Sequence, residues 1–334
     1  MKILIPGGLG YIGSHMVEFL KDRNHEVVIL DNLSTGNEWA SSGCEVILVD
    51  LLDIDKLKKK LSKRKFDGVI HFAAKSIVSE SVLNPDLYYE NNFIGTKNLI
   101  DVMEINEIQN IIFSSSAAVY GNPISNKIDE NHPTVPINPY GKTKLMVEKY
   151  LEEKTLEGKI NATCLRYFNA AGASYSKKIG ECREPETHLI PNIIRSGINK
   201  DLNFDIFGDN YDTPDGTCIR DYIHVLDLAE AHFLALKEMN QKSNFQIYNL
   251  GSGSGFSIME IKNTCEQVLN INIPYKIRPR REGDPAILIS NINKASKVLG
   301  WKPDNSEIKN IIETAYNFEK VKDSIIEANN GTDK

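Results

Sequence analysis

Six short runs rich in β-branched and other apolar residues punctuate the first 168 positions: "KILIP" (2–6), "EVVIL" (26–30), "EVILV" (45–49), "GVIHF" (68–72), "NIIFS" (110–114) and "ATCLRYF" (162–168). Each run is nearly unbroken rather than alternating, which is the pattern of a strand covered on both faces. Between them, 13–23, 53–63, 86–106 and 140–154 carry apolar residues at helical spacing. Strands alternating with amphipathic helices predict an α/β fold, a doubly wound parallel sheet. Beyond residue 168 the regularity lapses, and Gly, Pro and acidic residues crowd "GASYSKKIGECREPE" and "FGDNYDTPDG". A second, smaller α+β domain is expected there. "IRDYIHVLDLAEAHFLAL" (219–236) again reads as a strand entering a helix, so the chain is expected to return to the first domain. The predicted division is 1–167 plus 219–239 against 168–218 plus 240–326, with 327–334 as a frayed tail.

Composition narrows the function classes. A chain of 334 residues, 41% hydrophobic and 25% charged, buries a sizeable core. A net charge of −6 gives no support for nucleic-acid binding, and the lysines of "KLKKKLSKRK" (56–65) read as a solvated helix face. The five cysteines, Cys44, Cys164, Cys182, Cys218 and Cys265, are odd in number and scattered, so neither a disulfide framework nor a metal site is indicated. A reducing compartment fits. The apolar stretch at the N-terminus is too short for a signal-peptide core and no run approaches a membrane span, so a cytoplasmic protein without a membrane partner is expected.

Candidate chemistry begins after the first strand. "GGLGYIG" places Gly7, Gly10 and Gly13 at three-residue intervals before a helix. Glycines at that spacing allow a tight turn, close approach of backbone N–H groups to a pyrophosphate, and close packing of helix on strand, while the helix N-terminus favours negative charge. The second strand ends at Asp31, eighteen residues beyond Gly13, where a carboxylate can accept hydrogen bonds from ribose hydroxyls. The same carboxylate would repel a 2′-phosphate, so NAD is expected rather than NADP, in a Rossmann-type fold. Tyr11 and Ile12 within the turn, Asn32 after Asp31, and the later strand ends Asp50-Leu51 and Phe72-Ala73-Ala74 complete the candidate cofactor contacts on this side.

The fifth run stops on three serines, "FSSSAAVYGN" (113–122), and "NPYGKTKLMVEKYL" follows, with Tyr140 and Lys144 four residues apart on one helix face. A free phenol has a pKa of about 10, too high for a neutral-pH base, but an ammonium and a cationic nicotinamide ring beside it favour the phenolate. A serine hydroxyl at the carboxyl end of the fifth strand lies at the edge where doubly wound sheets bind ligands. Ser116 is the candidate to hydrogen-bond the group being oxidised or reduced, with Ser114 beside the cofactor. His71, inside "GVIHF", reads as a core histidine.

In this order, "GGLGYIG", the "SSS…VYG" strand end and "YGKTK" resemble the extended short-chain dehydrogenase/reductase superfamily. "GGLGYIGSH", "LDNLSTG", "VIHFAA", "FSSSAAVYG", "NPYGKTKLMVE", "LRYFNAAGA", "DGTCIRDYIHV", "YNLGSG" and "RREGDP", spread over residues 3–301, are similar to the UDP-glucose 4-epimerase family. That resemblance implies an isomerase that inverts C4 of a UDP-hexose through a 4-keto intermediate, with tightly held NAD, Ser116, Tyr140 and Lys144 as the catalytic set, and Asn92 and Tyr167 as further cofactor neighbours. For the UDP-sugar it implies Asn169, His188, Leu189, Phe207, Arg220, Arg281 and Asp284, with Leu288 as a gate on the sugar pocket and a homodimer formed through the helices 86–106 and 140–154. Read by themselves, the arginines are equally salt-bridge partners for Asp221 or Asp284, and His188 a packed polar side chain. Related dehydratases carry an Asp-Glu pair, and UDP-glucuronate decarboxylases a glutamate, where this chain has Ala117 and Ala118. A non-catalytic dinucleotide sensor would have no reason to keep both Tyr140 and Lys144.

Overall fold

The computed structural model describes residues 1–199, 201–239, 245–281 and 284–330. Seven parallel strands form one sheet in the order Gln246–Leu250, Asn161–Tyr167, Asn110–Ser116, Gly68–His71, Lys2–Pro6, Glu26–Asp31, Glu45–Leu48. The strand order reverses at Lys2–Pro6, which pairs with Glu26–Asp31 on one side and Gly68–His71 on the other. That reversal opens a crevice at the carboxyl ends of the strands. Both faces are covered, as the unbroken apolar runs require. Ile3 and Ile5 pack with Met16, Leu20 and Leu236 on one face, and Leu4 and Val28 with Leu57, Leu99 and Val147 on the other.

Local signals set the helix boundaries. Asp53 caps Ile54–Leu61 by accepting from the Lys56 N–H at 3.0 Å, and the lysines of this helix face solvent. Pro139 opens the helix Pro139–Leu156, and Asn138 accepts from the Gly141 N–H at 2.8 Å. The single helix predicted over 86–106 is instead Pro85–Tyr88, a widened π turn Tyr89–Ile94, and Gly95–Ile105. Asn92, on the widened turn, is 2% exposed and bonds inward to both the N–H and the carbonyl of Lys75. Helical periodicity does not reveal one extra residue in a turn.

The return at 219–236 forms two short strands, Ile219–Arg220 and Tyr222–His224, and the helix Val225–Met239. Two segments assigned by the sequence to the second domain pack with the first. Gln246–Leu250 pairs along its length with Asn161–Tyr167, and Ala295, Leu299 and Trp301 share a core with Leu236 and Tyr248. A five-residue strand of mixed polarity, isolated from its neighbours in sequence, leaves too weak a pattern to place. The second region is built on the helices Leu189–Ile198, Ile258–Leu269 and Ile308–Glu319, which share an apolar core of Ile193, Ile261 and Ile311. Of the tail expected at 327–334, residues up to 330 extend the helix Lys322–Asn330 and the rest lie outside the described residues. Among the described residues no helix is long and apolar enough to cross a membrane.

Three buried histidines make the fold acid-sensitive. His71 donates through Nε2 to the Thr96 hydroxyl, which itself donates to the Asn92 carbonyl, and burial pulls the His71 pKa down to about 3. Burial likewise brings His224 down to about 3 and His232 to about 4. An unfolded chain protonates these rings near pH 6.5 while the folded chain keeps them neutral, so the unfolded state binds more protons between about pH 6.5 and 4. Stability is therefore full above that window and falls on acidification, by up to about 1.4 kcal/mol per pH unit for each ring. Urea midpoints measured across this range should decline with falling pH, and His232→Gln should make the slope shallower; an identical slope would contradict the assignment of His232.

Candidate active site

The turn after Lys2–Pro6 is fixed by two glycines and left open by a third. Gly7 has φ +79°, and a Cβ there would lie 2.4 Å from the Ala73 nitrogen. A Cβ on Gly13 would lie 2.1 Å from the Gly7 carbonyl oxygen. At Gly10 a Cβ would meet nothing nearer than that same oxygen, at 3.4 Å. Gly10 is also the N-cap of Tyr11–Lys21, with no side-chain cap and no acidic residue in the first turn. Open space in front of an uncapped helix N-terminus fits a pyrophosphate.

The remaining cofactor candidates line the same edge. Asp31 accepts from the N–H groups of Leu9 at 3.1 Å and Leu33 at 2.9 Å, one on each oxygen, which leaves a lone pair on both for ribose hydroxyls. Asn32 donates to Asp50 at 2.8 Å, which ties the ends of two neighbouring strands together, and the Leu51 carbonyl accepts at 2.9 Å from Asn98 of the helix Gly95–Ile105. Phe72 and Ala73 bond through their N–H groups to the Pro6 carbonyl, at 2.8 and 2.9 Å, bringing the 72–74 segment against the glycine turn. Ile12 packs partly into the core, and the Tyr11 hydroxyl is committed to the Gly172 carbonyl at 2.6 Å.

Each of the three serines at the strand end faces a different partner. In register, Ser114 lies beside Leu165, Ser115 beside Arg166 and Ser116 beside Tyr167. Ser114, expected beside the cofactor, is turned inward and is 1% exposed. His232 donates through Nδ1 to the Leu228 carbonyl at 2.7 Å, so its Nε2 accepts from the Ser114 hydroxyl at 3.0 Å. The Ser114 carbonyl accepts from Lys144 Nζ at 2.7 Å. Ser115, on the opposite face, donates to Glu148 at 2.5 Å. Only Ser116 is left at the crevice, where its hydroxyl accepts from the Ala118 N–H at 3.2 Å and its hydrogen bonding favours the Tyr140 phenolate.

Tyr140 and Lys144 are both buried, and the Lys144 ammonium sits 5.8 Å from the centre of the Tyr140 ring and 4.8 Å from that of Phe113. Burial raises the Tyr140 phenol, against hydrogen bonding from Ser116 and the charge of Arg183. Burial brings Lys144 down to about 7, opposed mainly by Glu148. Burial thus favours the neutral form of both groups, and the phenolate is favoured by hydrogen bonding from Ser116 and by positive charge brought beside it. Tyr167 at the adjoining strand end has its phenol raised by burial.

Behind this edge lies a polar network that pattern reading did not find. Glu148 and Arg166, at 3% and 4% side-chain exposure, form a bidentate pair at 2.5 and 2.9 Å. Arg166 Nη1 also donates to the Tyr120 hydroxyl at 3.1 Å, which donates to Asn249 at 2.6 Å. A charge in the middle of the strand "ATCLRYF" was its only signal in the sequence.

The residues implied for the nucleotide-sugar divide into groups. Arg220 pairs with Asp284, and the Arg281 guanidinium stacks 4.1 Å from the centre of the Phe207 ring. Asp221 pairs with neither arginine; it accepts from the N–H and hydroxyl groups of Ser252 and Ser290. Leu288 lies opposite Arg220 in register and packs into the apolar cluster of Ala117, Val119 and Phe168, directly after Ser116. Asn169 donates to the Asp221 carbonyl at 2.8 Å. His188 caps Leu189–Ile198 by position only, and its ring turns instead to Glu181. His188 thus bonds within the 181–188 segment and Leu189 packs on the core of the second region, whereas Arg220 and Asp284 bond each other.

A doubly wound sheet with an open glycine turn and a Ser-Tyr-Lys set at its switch point defines a dinucleotide-dependent enzyme of the short-chain class. The sequence model of the NAD dependent epimerase/dehydratase family matches residues 3–251, and the chain belongs to that family. Within it, a relative of Halalkalibacterium halodurans named UDP-glucose 4-epimerase is 46% identical over 320 residues, covering 96% of each chain. The UDP-glucose 4-epimerase from Brucella ovis, solved in complex with NAD, is similar with a TM-score of 0.92 and 41% identity over 94% of this chain and 97% of that one. The UDP-Glc/GlcNAc 4-epimerase from Campylobacter jejuni has a TM-score of 0.83 and 39% identity, covering 96% and 99%.

Replacing Asp31 by Ala should therefore reduce NAD retention without altering which sugars are accepted. Loss of charge-assisted hydrogen bonds to the ribose is worth about tenfold or more in affinity. Cofactor released from denatured protein and quantified against parent protein checks this; unchanged occupancy would remove Asp31 from the site.

Proposed function

We propose that this chain inverts C4 of a UDP-hexose, interconverting UDP-glucose and UDP-galactose. The observation that carries the reading is the buried Tyr140–Lys144 pair beside Ser116, followed by a turn, Ala117–Val119, that holds no acidic side chain. A dehydratase or decarboxylase needs a carboxylate there; inversion does not.

Ser116 bridges to the 4-oxygen, and Tyr140 takes the hydroxyl proton as the base. When bound, NAD supplies the hydride acceptor and donor that converts C4 to a ketone and back. Lys144 would hold positive charge against the phenolate and, with NAD bound, would contact the nicotinamide ribose. Arg220 and Arg281 anchor the pyrophosphate while the flat ketose turns to present its other face, and Tyr140 returns the proton to the 4-oxygen. No net oxidation follows. The pairing of Arg220 with Asp284 pre-orients the guanidinium for this task.

Three further readings accompany it. Val78, Val82, Leu83, Leu87 and Tyr89 expose apolar surface beside Pro139–Leu156, which supports a homodimer through these helices. Free, scattered cysteines support a cytoplasmic setting. The smaller region, built on Leu189–Ile198, Ile258–Leu269 and Ile308–Glu319, is the nucleotide-sugar-binding domain.

Purified protein should convert UDP-galactose to UDP-glucose without added cofactor, and Tyr140→Phe should lower kcat by about 100-fold or more while leaving bound NAD in place. Near-normal turnover of the variant would exclude Tyr140 as the base. Leu288 sets the second expectation. A leucine at this gate, smaller than a tyrosine, admits a 2-N-acetyl group, so the parent should also act on UDP-N-acetylglucosamine and UDP-N-acetylgalactosamine. Leu288→Tyr should suppress that reaction by about tenfold or more and spare the plain hexoses, since overpacking a formed pocket costs about 1–3 kcal/mol. A parent inactive on the N-acetylated sugars would end the gate reading.

A further inference from the structure

We propose that Glu148 is a positioning residue for the Tyr140–Lys144 pair: its buried carboxylate ties the serine-ended strand to the helix that carries the pair, and its charge supports the ammonium form of Lys144. The kinetic half of this rests on the epimerase reading above; the electrostatic half does not.

The geometry starts from helix spacing. Tyr140, Lys144 and Glu148 follow one another at intervals of four residues, so all three lie along one face of Pro139–Leu156, and all three are less than a tenth exposed. That face lies against Asn110–Ser116. Two bonds join the elements: Lys144 donates to the Ser114 carbonyl at 2.7 Å, and Ser115 donates to Glu148 at 2.5 Å. Ser115 is completely buried between two residues with work at the site, Ser114 holding the lysine and Ser116 at the crevice. A shift of the strand along the helix would break both bonds together. The second Glu148 oxygen is taken by Arg166 of the next strand, so the carboxylate is pinned from two strands at once.

The charges around Lys144 leave Glu148 with a distinct task. On its own helix Lys144 faces Tyr140 and Glu148. From Gly68–His71 it faces His71, which burial keeps neutral at neutral pH. From Asn161–Tyr167 it faces Cys164, whose thiol burial raises strongly. Arg166, on the same strand, adds a second cation that is itself neutralised by Glu148. Glu148 is therefore the carboxylate that bonds Arg166 directly and also acts on Lys144. Among the causes acting on Lys144, burial lowers its pKa and Glu148 is the first that raises it. The pKa of Lys144 lies at about 7 with that charge in place, so without it the amine would lose its proton below neutrality and no longer balance a phenolate.

The test uses the full chain labelled with 13C at lysine Cε, with the Lys144 resonance assigned by its loss in Lys144→Met. In Glu148→Gln, which preserves shape and one acceptor for Ser115, the Lys144 titration midpoint should fall by about one pH unit or more. The alkaline limb of kcat against pH should move down with it. A folded Glu148→Gln protein with the parent midpoint overturns the electrostatic half. Ser115→Ala, which leaves both charges in place and needs no folding of a broken ion pair, should lower kcat about tenfold or more with KM and NAD content unchanged. Parent-like kcat in Ser115→Ala overturns the positional half. A parent that does not epimerise at all overturns the epimerase reading instead, and the lysine titration still decides the role of the Glu148 charge.

Discussion

The paired, buried charges of Glu148 and Arg166 are the interaction on which the catalytic edge depends. Removing either partner from such a pair typically costs about 3–5 kcal/mol, because the survivor is left charged in a dry interior. Here the pair does more than neutralise itself. Through Ser115 it reaches the strand that ends at the crevice, and through Tyr120 and Asn249 it reaches the turn after that strand and the outermost strand of the sheet. Five elements, one helix, three strands and a turn, are thereby tied together around Ser116.

The cofactor end is governed by a different constraint, backbone proximity. Gly7 and Gly13 leave no room for a side chain, and the Phe72–Ala73 backbone is drawn against the turn by the Pro6 carbonyl. Gly10 faces open space at an uncapped helix start. The first two glycines therefore build the turn, while the third keeps the space before the helix start clear of a side chain. Charged hydrogen bonds at one end and exclusion of side chains at the other place Asp31 and Tyr140 along the same sheet edge without direct contact between them.

The smaller region follows a looser rule. Its apolar core of three helices is independent of the large sheet, yet Asp221, completely buried, takes hydrogen bonds from Ser252 and Ser290 and stitches the two together below the crevice. Leu288 sits above that stitch, between Arg220 and the Ala117 turn. Leu288 and Arg220, proposed as gate and anchor, are thus neighbours on paired strands.

What the sequence determined alone was whatever rests on local pattern. Six strands of the large sheet follow from unbroken apolar runs, the glycine turn and Asp31 from their spacing, and the Tyr140–Lys144 face from helical periodicity. These are decided by backbone geometry over a few residues. Tertiary structure alone decided the seventh strand, Gln246–Leu250, the widened turn that presents Asn92, and the partners of the three serines. It also decided that Arg220 pairs with Asp284 rather than Asp221. For the strand, the serines and the arginine the partner is tens of residues away, and the identity of such a partner depends on register and burial, which no local window of sequence contains.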